Sequence, residues 1–546
     1  TLIETAWCLS LQFYSMAVPV WLRPFSIRRS KKCISAFRIP FRCRSTEECP
    51  ARSLNLENYS AGKDNSKMPY NEIPSPPGLP LIGTLLDVIK AGSVLKIHEY
   101  CDRRHKQLGP IYKEKLGNVE AVFIADSGMI GQVYQMEGKY PTHQVPEPWV
   151  VYNEKFGCQR GLFFMDGPEW AEKRSILNKV LLNPNSMSSH ADSFCIVVDD
   201  VIDRWRTIRQ DGVLSDLEGE LYKWSIESLG TMLFGRRFGC ISYDKSIEVS
   251  EFVQSVQQIF RESAIMTMIP PRLAAALHLP VWRRFVKAVQ RALEIANHYV
   301  ENTVKVMQME NLEASEDNSI VFNLLRNQKI PQEELIRIVT DLFLAAADTT
   351  SHTTQWCLYL LAKYPEVQKK IYNEISSIVP PNKELNKTHM ANLTYVKAVV
   401  KEALRLYPVA PFLTRYTQED FVINGYRIPK GKLLLISLYT TGRDPKYFSD
   451  PEEFKPERWI RKPPKGEVTS GCPREVINTL AYLPFGIGPR SCIGRRVAEI
   501  TMNMLLAKTV KNFHLSVENK NEVEMVMRMI TVPSETIKLK LVEREG

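Results

Sequence analysis

The apolar and polar positions fall into three regimes along the chain. Ile111-Tyr-Lys-Glu-Lys-Leu116 alternates before Gly117-Asn118, and Val119-Glu-Ala-Val-Phe-Ile124 after that turn signal is more apolar, which predicts a β-hairpin. From about Ser127 to Ser376 the apolar positions recur at helical spacing instead. Within that region Gln332 to Tyr364 has neither Gly nor Pro, which predicts one helix of up to about 50 Å at about 1.5 Å per residue. Two short apolar runs then flank Asn424-Gly425, and Pro429-Lys-Gly431 leads into Leu433-Leu-Leu-Ile436, so a small sheet region follows the helices. The chain reads as mainly α with small β-sheets, an α+β fold, with one large domain and no internal linker over residues 81–546.

The first eighty residues follow no such period. From Ala51 to Glu72 the chain is polar, and Ile73-Pro-Ser-Pro-Pro-Gly-Leu-Pro80 predicts a rigid proline-rich hinge, so 51–80 is expected to be a linker ahead of the folded part. Half of the net charge of +10 lies in the first sixty residues, and none of the residues between Met16 and Thr46 is acidic. Arg and Ser alternating there with bulky apolar residues is the composition of a mitochondrial transit peptide, expected over 1–50. The competing anchor, Trp7 to Leu22, contains Ser10, Gln12, Ser15 and Pro19 and falls short of the roughly 20 apolar residues that a span needs. A secretory signal would place its basic block before the apolar stretch, not after it. No basic run is interleaved with aromatics, which argues against nucleic-acid binding. Eleven cysteines are scattered singly with no C-x-x-C pair, which fits a reduced compartment and disfavours zinc.

One of those cysteines has an unusual setting. Phe485-Gly-Ile-Gly-Pro-Arg-Ser-Cys492-Ile-Gly494 precedes a helical pattern beginning at Arg495. A Cys just ahead of a helix N-terminus is expected to have its pKa lowered, which favours a thiolate ligand. Gly486, Gly488 and Gly494 allow backbone to approach a flat ligand, and Arg490 suits a carboxylate. An arbitrary loop cysteine is usually just a buried one. The spacing argues otherwise, because the loop resembles the F-x-x-G-x-R-x-C-x-G haem-binding motif of the cytochrome P-450 monooxygenases at Phe485, Gly488, Arg490, Cys492 and Gly494. A chance match is on the order of one in ten thousand at average residue usage.

Other segments agree in family order. Ala345-Ala-Ala-Asp-Thr-Thr350 places three methyl-sized side chains beside two hydroxyls and a carboxylate, and Thr349 can donate back to the carbonyl of Ala345. It resembles the family's oxygen-activation motif, which implies proton delivery by Asp348 and Thr349. Ala346 stands where Gly is usual, which narrows the groove. Glu402 and Arg405 sit three apart on a helical pattern, commonly mere surface pairing. They resemble the family's E-x-x-R, and Pro456-Glu-Arg458-Trp resembles the segment whose Arg completes a buried triad. Trp170 and Arg174 match W-x-x-x-R, and with Arg415 and Arg490 are implied to hold the haem propionates. Lys397 and Lys401 share a helix face, and with Arg495 and Arg496 resemble the basic patch of the mitochondrial class.

The resemblance implies haem b with Cys492 as axial ligand, O2 as co-substrate, and electrons from an acidic, adrenodoxin-like ferredoxin served by an NADPH-dependent reductase. It implies a site on the matrix face of the inner mitochondrial membrane with peripheral membrane contact. Stretches such as Glu137-Gly-Lys-Tyr-Pro-Thr-His143 and Arg528-Met-Ile-Thr-Val-Pro533 resemble the branch of this class that hydroxylates ecdysteroids at carbon 2. By family position a steroid would then be lined by His143, Trp149, Leu342, Ala346, Val409, Leu413, Ile530 and Thr531. Readings left open are another mitochondrial steroid or xenobiotic hydroxylase, a microsomal member fed by a flavoprotein, a haem-thiolate isomerase, and a haem-binding carrier or sensor without turnover.

Overall fold

The computed structural model describes residues 68–80, 82–117, 119–157, 161–242, 247–267, 269–309, 319–326, 330–380, 383–460 and 479–544. The segment read as a transit peptide lies outside them. Gly62–Gly546 is one compact unit. Among the described residues, the helices of ten residues or more are α1 (Ile97–Leu108), α2 (Ser127–Met136), α3 (Glu147–Phe156), α4 (Gly167–Leu181), α5 (Ala191–Ile208) and α6 (Leu217–Phe234). They continue as α7 (Ile247–Ile265), α8 (Pro280–Met309), α9 (Gln332–Lys363), α10 (Pro365–Ile378), α11 (Thr394–Leu406) and α12 (Arg495–Asn512).

Helix α9 has the predicted extent, and its ends follow from local chemistry. Pro331 is the N-cap, Glu333 and Glu334 occupy the first turn, and Lys363 lies in the last, each sign matching the helix dipole. Tyr364 leaves the α region because Pro365 follows it. Twenty-one of the α9 residues are buried, with α6 and α8 packed along it, so this helix is the axis of the core. Helix α11 begins on the Glu374 carboxylate, which accepts the backbone N–H groups of Tyr395 (2.7 Å) and Val396 (3.2 Å) and the hydroxyl of Thr394 (2.9 Å).

The predicted hairpin is β1 (Ile111–Leu116) with β2 (Val119–Ile124), paired antiparallel. It extends into a four-stranded sheet in the order β1-β2-β7-β4, with β4 (Phe412–Tyr416) antiparallel and β2 parallel to β7 (Leu433–Ser437). The Asn424-Gly425 signal forms the turn between β5 (Phe421–Ile423) and β6 (Tyr426–Ile428). Both turn residues have positive φ, 47° and 82°, as a tight hairpin requires. Sequence pattern missed β4 and β3 (Val213–Leu214) altogether. It also missed the C-terminal strands β8 (Phe513–Val517), β9 (Met525–Arg528), β10 (Ile530–Pro533) and β11 (Leu539–Glu543). These are short: β11 pairs with both the distant β3 and β8, while β9 and β10 pair with each other across Met529 alone.

The proline-rich segment is packed on the body and does not act as a free hinge. Ile73 is buried, Lys113 donates its backbone N–H to the Pro74 carbonyl (2.9 Å), and Met68 bridges to Tyr426. Pro suits such an edge because it has no N–H to leave unpaired. Folded structure therefore begins about a dozen residues before the boundary read from composition.

Candidate haem-thiolate site

The loop ahead of α12 closes on itself. Cys492 donates its backbone N–H to the Phe485 carbonyl (2.8 Å), and Gly486 and Gly488 take φ of 67° and 78°. A side chain at Gly488 would also collide with the carboxylate of Glu137, so only glycine fits there. Gly494 is the N-cap of α12, and its N–H bonds the sulfur of Cys492. Among the described cysteines Cys101, Cys195, Cys240 and Cys357 are buried, whereas Cys492 is exposed although protein surrounds it. It therefore faces an internal chamber.

The expected lowering of its pKa is not the net result. Burial pushes the Cys492 thiol up and outweighs the Gly494 N–H and the guanidinium groups of Arg174 and Arg495, which pull it down. A desolvated thiol of this kind ionises when a metal cation binds it, and so the loop suits a metal ligand better than a free nucleophile.

Three arginines converge near the loop, as expected, but each now rests on protein acceptors. Arg174 donates to the Ser491 carbonyl (2.6 Å) and Asn178 (2.7 Å). Arg490 donates to the carbonyls of Pro141 (2.9 Å) and Met165 (2.8 Å) and pairs with Asp166 (2.7 Å), its guanidinium 3.9 Å from the ring centroid of Trp170. Arg415 pairs with the buried Glu137 (2.8 Å). Burial pushes Arg174 and Arg490 down to about 10, and repulsion from Arg415 and Arg174 adds to the effect at Arg490. The cluster is thus short of negative charge, which two propionates would supply. Glu137, whose carboxyl burial pushes up, was not singled out by sequence although it begins one of the stretches quoted above. The residues present fit haem: an exposed cysteine enclosed by protein, a glycine cradle and three arginines that share only two carboxylates. A separate hollow of about 390 Å³ is lined by Trp170, Arg174, Ser175, Asn178, Lys179 and Pro489, and neither Cys492 nor Thr349 borders it.

On α9, Ala345 and Thr349 are exposed, and the Thr349 hydroxyl donates to the Ala345 carbonyl (2.6 Å) as its sequence position predicts. Asp348 is buried on another face. It bonds the Tyr222 hydroxyl and lies 3.5 Å from His352 Nε2, while Ser225 donates to the Ala346 carbonyl (3.0 Å). The carboxylate and the hydroxyl are therefore sequence neighbours that point apart, and Tyr222, His352 and Ser225 are partners that sequence pattern did not reveal.

Of the expected chamber lining, Leu342, Ala346, Leu413 and Ile530 are partly exposed. Trp149 is buried among Tyr152, Phe164 and Phe285. Thr531 is also buried, with its N–H bound to the Val409 carbonyl (2.9 Å) and its hydroxyl to that of Pro408 (2.7 Å). Thr531 therefore braces the chamber wall and has no donor to offer a substrate, which corrects the expectation from sequence. His143 abuts Phe163, with ring centroids 4.7 Å apart.

Glu402, Arg405 and Arg458 form the expected triad, fully buried. Glu402 pairs with Arg405 (2.7 Å) and Arg458 (2.9 Å) and also accepts the Trp459 indole N–H (2.8 Å). On the faces of α11 and α12, which pack together, Lys397 donates to the Ala391 carbonyl (2.7 Å) and Lys401 lies over the Trp459 ring. Arg495 pairs with Glu499 (3.0 Å) and Arg496 is exposed.

The description "Cytochrome P450" belongs to the family model that matches residues 73–541. The chain is 38% identical over 490 residues to "Cytochrome P450 315a1, mitochondrial" of Drosophila melanogaster, covering 86% of this chain and 88% of that protein. It is 30% identical to "Sterol 26-hydroxylase, mitochondrial" of Rattus norvegicus (90% and 92% covered) and 30% to "25-hydroxyvitamin D-1 alpha hydroxylase, mitochondrial" of Homo sapiens (93% and 99%). A glycine-cradled cysteine, a long core helix with its Thr turned to a chamber, and these matches lead to one conclusion. The chain belongs to the cytochrome P450 family, whose members are monooxygenases using haem b, a cysteine thiolate ligand and O2.

Proposed function

We propose that this monooxygenase is a mitochondrial steroid hydroxylase acting on ecdysteroids, converting 2-deoxyecdysone to ecdysone at carbon 2. The mitochondrial steroid reading draws on the relatives named above, and the finer one on the sequence stretches that resemble the ecdysteroid branch. The observation that carries hydroxylation over isomerisation or simple carriage is the Thr349 hydroxyl, exposed to the chamber and held by the Ala345 carbonyl.

Cys492 would ligate the haem iron, with Phe485, Gly488 and Gly494 shaping the cradle. Trp170, Arg174, Arg415 and Arg490 would meet the propionates. Haem so held supplies O2 activation and oxygen insertion into a C–H bond, which a thiolate ligand favours. One oxygen atom enters the substrate and the other leaves as water, which needs two electrons and two protons. Thr349 would hold a proton donor at its hydroxyl, on the face of the helix turned to the chamber. Asp348, tied to Tyr222 and His352, must turn or act through water to recharge it. Lys397, Lys401, Arg495 and Arg496 would steer an acidic ferredoxin at the matrix face of the inner membrane, a basic patch setting association rate more than affinity. No helix among the described residues is long and apolar enough to cross a membrane.

Haem-loaded protein given 2-deoxyecdysone, ferredoxin, NADPH-dependent ferredoxin reductase and NADPH should yield product hydroxylated at carbon 2. Absence of product with this donor pair, alongside turnover with a microsomal flavoprotein reductase, would overturn the mitochondrial placement. Binding without turnover by either donor would favour a carrier. In the same assay Thr349→Ala should keep NADPH consumption while product per NADPH falls about a hundredfold or more, the usual range for losing a proton-transfer group. Unchanged coupling would remove Thr349 from proton delivery.

A further inference from the structure

Two buried polar groups beside the ridge that carries Thr349 take no part in the oxygen chemistry there. Asp341, Ala345 and Thr349 stand at i, i+4 and i+8 on α9 and therefore share one ridge, whose latter two members are exposed. Along the axis Asp341 is about 12 Å from Thr349, comparable to the length of a fused four-ring skeleton. The Asp341 carboxylate accepts the backbone N–H of Phe163 (3.3 Å), and a side chain at Gly161 would collide with it, so the loop is built to admit this carboxyl. Burial pushes its pKa up to about 7, with Arg337 and the Phe163 N–H pulling the other way. In its neutral form it carries an O–H to donate.

The same loop reaches a second polar group. The Phe163 ring, 48% exposed, touches His143, and both ring nitrogens of His143 are buried without a hydrogen-bond partner. Burial, with Arg490 and Arg415 nearby, pushes His143 down to about 4, so its imidazole is neutral and presents one donor and one acceptor. Buried imidazole nitrogens left unmatched are costly, and an apolar steroid edge would not satisfy them. Phe163 thus links two groups of complementary hydrogen-bonding capacity: its backbone binds Asp341 and its ring packs on His143.

We propose that Asp341 and His143 flank a polar subsite, remote from Thr349, that recognises a hydroxyl group of the steroid far from the carbon oxidised. The assignment rests on the steroid reading above and sets which steroids are accepted and which way round they enter. A site built to bond a hydroxyl discriminates strongly against an analogue lacking it, because its own groups are then left unpaired.

The test is spectral titration of the haem-loaded protein with 2-deoxyecdysone and a set of analogues each lacking one further hydroxyl, with KM and kcat for those turned over. In the wild type, removal of one particular hydroxyl should weaken binding about tenfold or more. In Asp341→Leu and in His143→Phe the same removal should cost about twofold or less. Asp341→Asn, which keeps a donor and the shape, should retain most of the discrimination and covers the case in which the leucine variant does not fold. If steroids bind but no hydroxyl loses its contribution in any variant, ordered water satisfies these groups, and the subsite is excluded while the function stands. If no steroid perturbs the wild-type spectrum, the steroid reading itself fails, and the subsite with it.

Discussion

Replacing Glu402 with Leu should abolish recovery of folded, haem-retaining protein. Glu402 pairs with both Arg405 and Arg458, at 2.7 Å and 2.9 Å, and all three side chains are fully buried. Arg405 also donates to the carbonyls of Gly442 (2.7 Å) and Glu453 (2.9 Å), and Arg458 to that of Ser449 (2.8 Å), so neither can withdraw to solvent without leaving backbone oxygens unpaired. Deleting one member of such a network costs about 3 to 5 kcal/mol, because uncompensated charge stays in the interior. Against a total stability of about 5 to 15 kcal/mol, that loss is a large fraction of the whole. Thermal unfolding and haem content of the purified variant provide the check. A melting temperature and haem content equal to wild type would mean that the triad is ornamental.

Cys492→Ser should leave the fold intact and take turnover to background. In the protein the Cys492 sulfur bonds the Gly494 N–H and otherwise faces the chamber, so the oxygen replacing it removes little packing. With Cys492 as the ligand, the thiolate would be replaced by a weakly bound hydroxyl, and the push that favours O–O cleavage would be lost. The reduced carbon monoxide spectrum should then lack the thiolate band, with melting temperature of the haem-free protein near wild type. Cys357→Ala is the control. That thiol is buried in the core on α9, where burial pushes its pKa well up, and its loss should lower stability and spare the band. A persistent thiolate band in the Cys492 variant would assign the ligand elsewhere and overturn the site.

Much of the architecture was legible because it is written in short-range chemistry. The span of α9 follows from an absence of Gly and Pro between Pro331 and Pro365, and the β5–β6 turn from Asn424-Gly425 accepting positive φ. The Thr349 bond to Ala345 is a contact within one helical turn, so spacing alone predicts it. Strand β11 was not legible because it depends on distant partners, with Leu539 opposite both Leu214 and Val517, and β9 and β10 pair across Met529 alone, without a Gly or Asn turn signal. The proline-rich start was misread for a related reason: composition registers stiffness but not the docking of Ile73 and Pro74 onto the body.

At the site, sequence by itself determined which residue types are present and in what order: one cysteine among glycines ahead of a helix, an acid and an alcohol in mid-helix, and a Glu and Arg three apart. Tertiary structure decided how they act. It turned Asp348 away from Thr349 toward Tyr222 and His352, and it buried Thr531 against Pro408 and Val409. It made Cys492 a desolvated thiol whose pKa rises where helix position alone predicts a fall. The physical reason is common to all three. Hydrogen-bond partners and desolvation are largely set by elements a hundred or more residues apart, and local spacing carries no information about the dielectric or the neighbours that folding brings to a side chain.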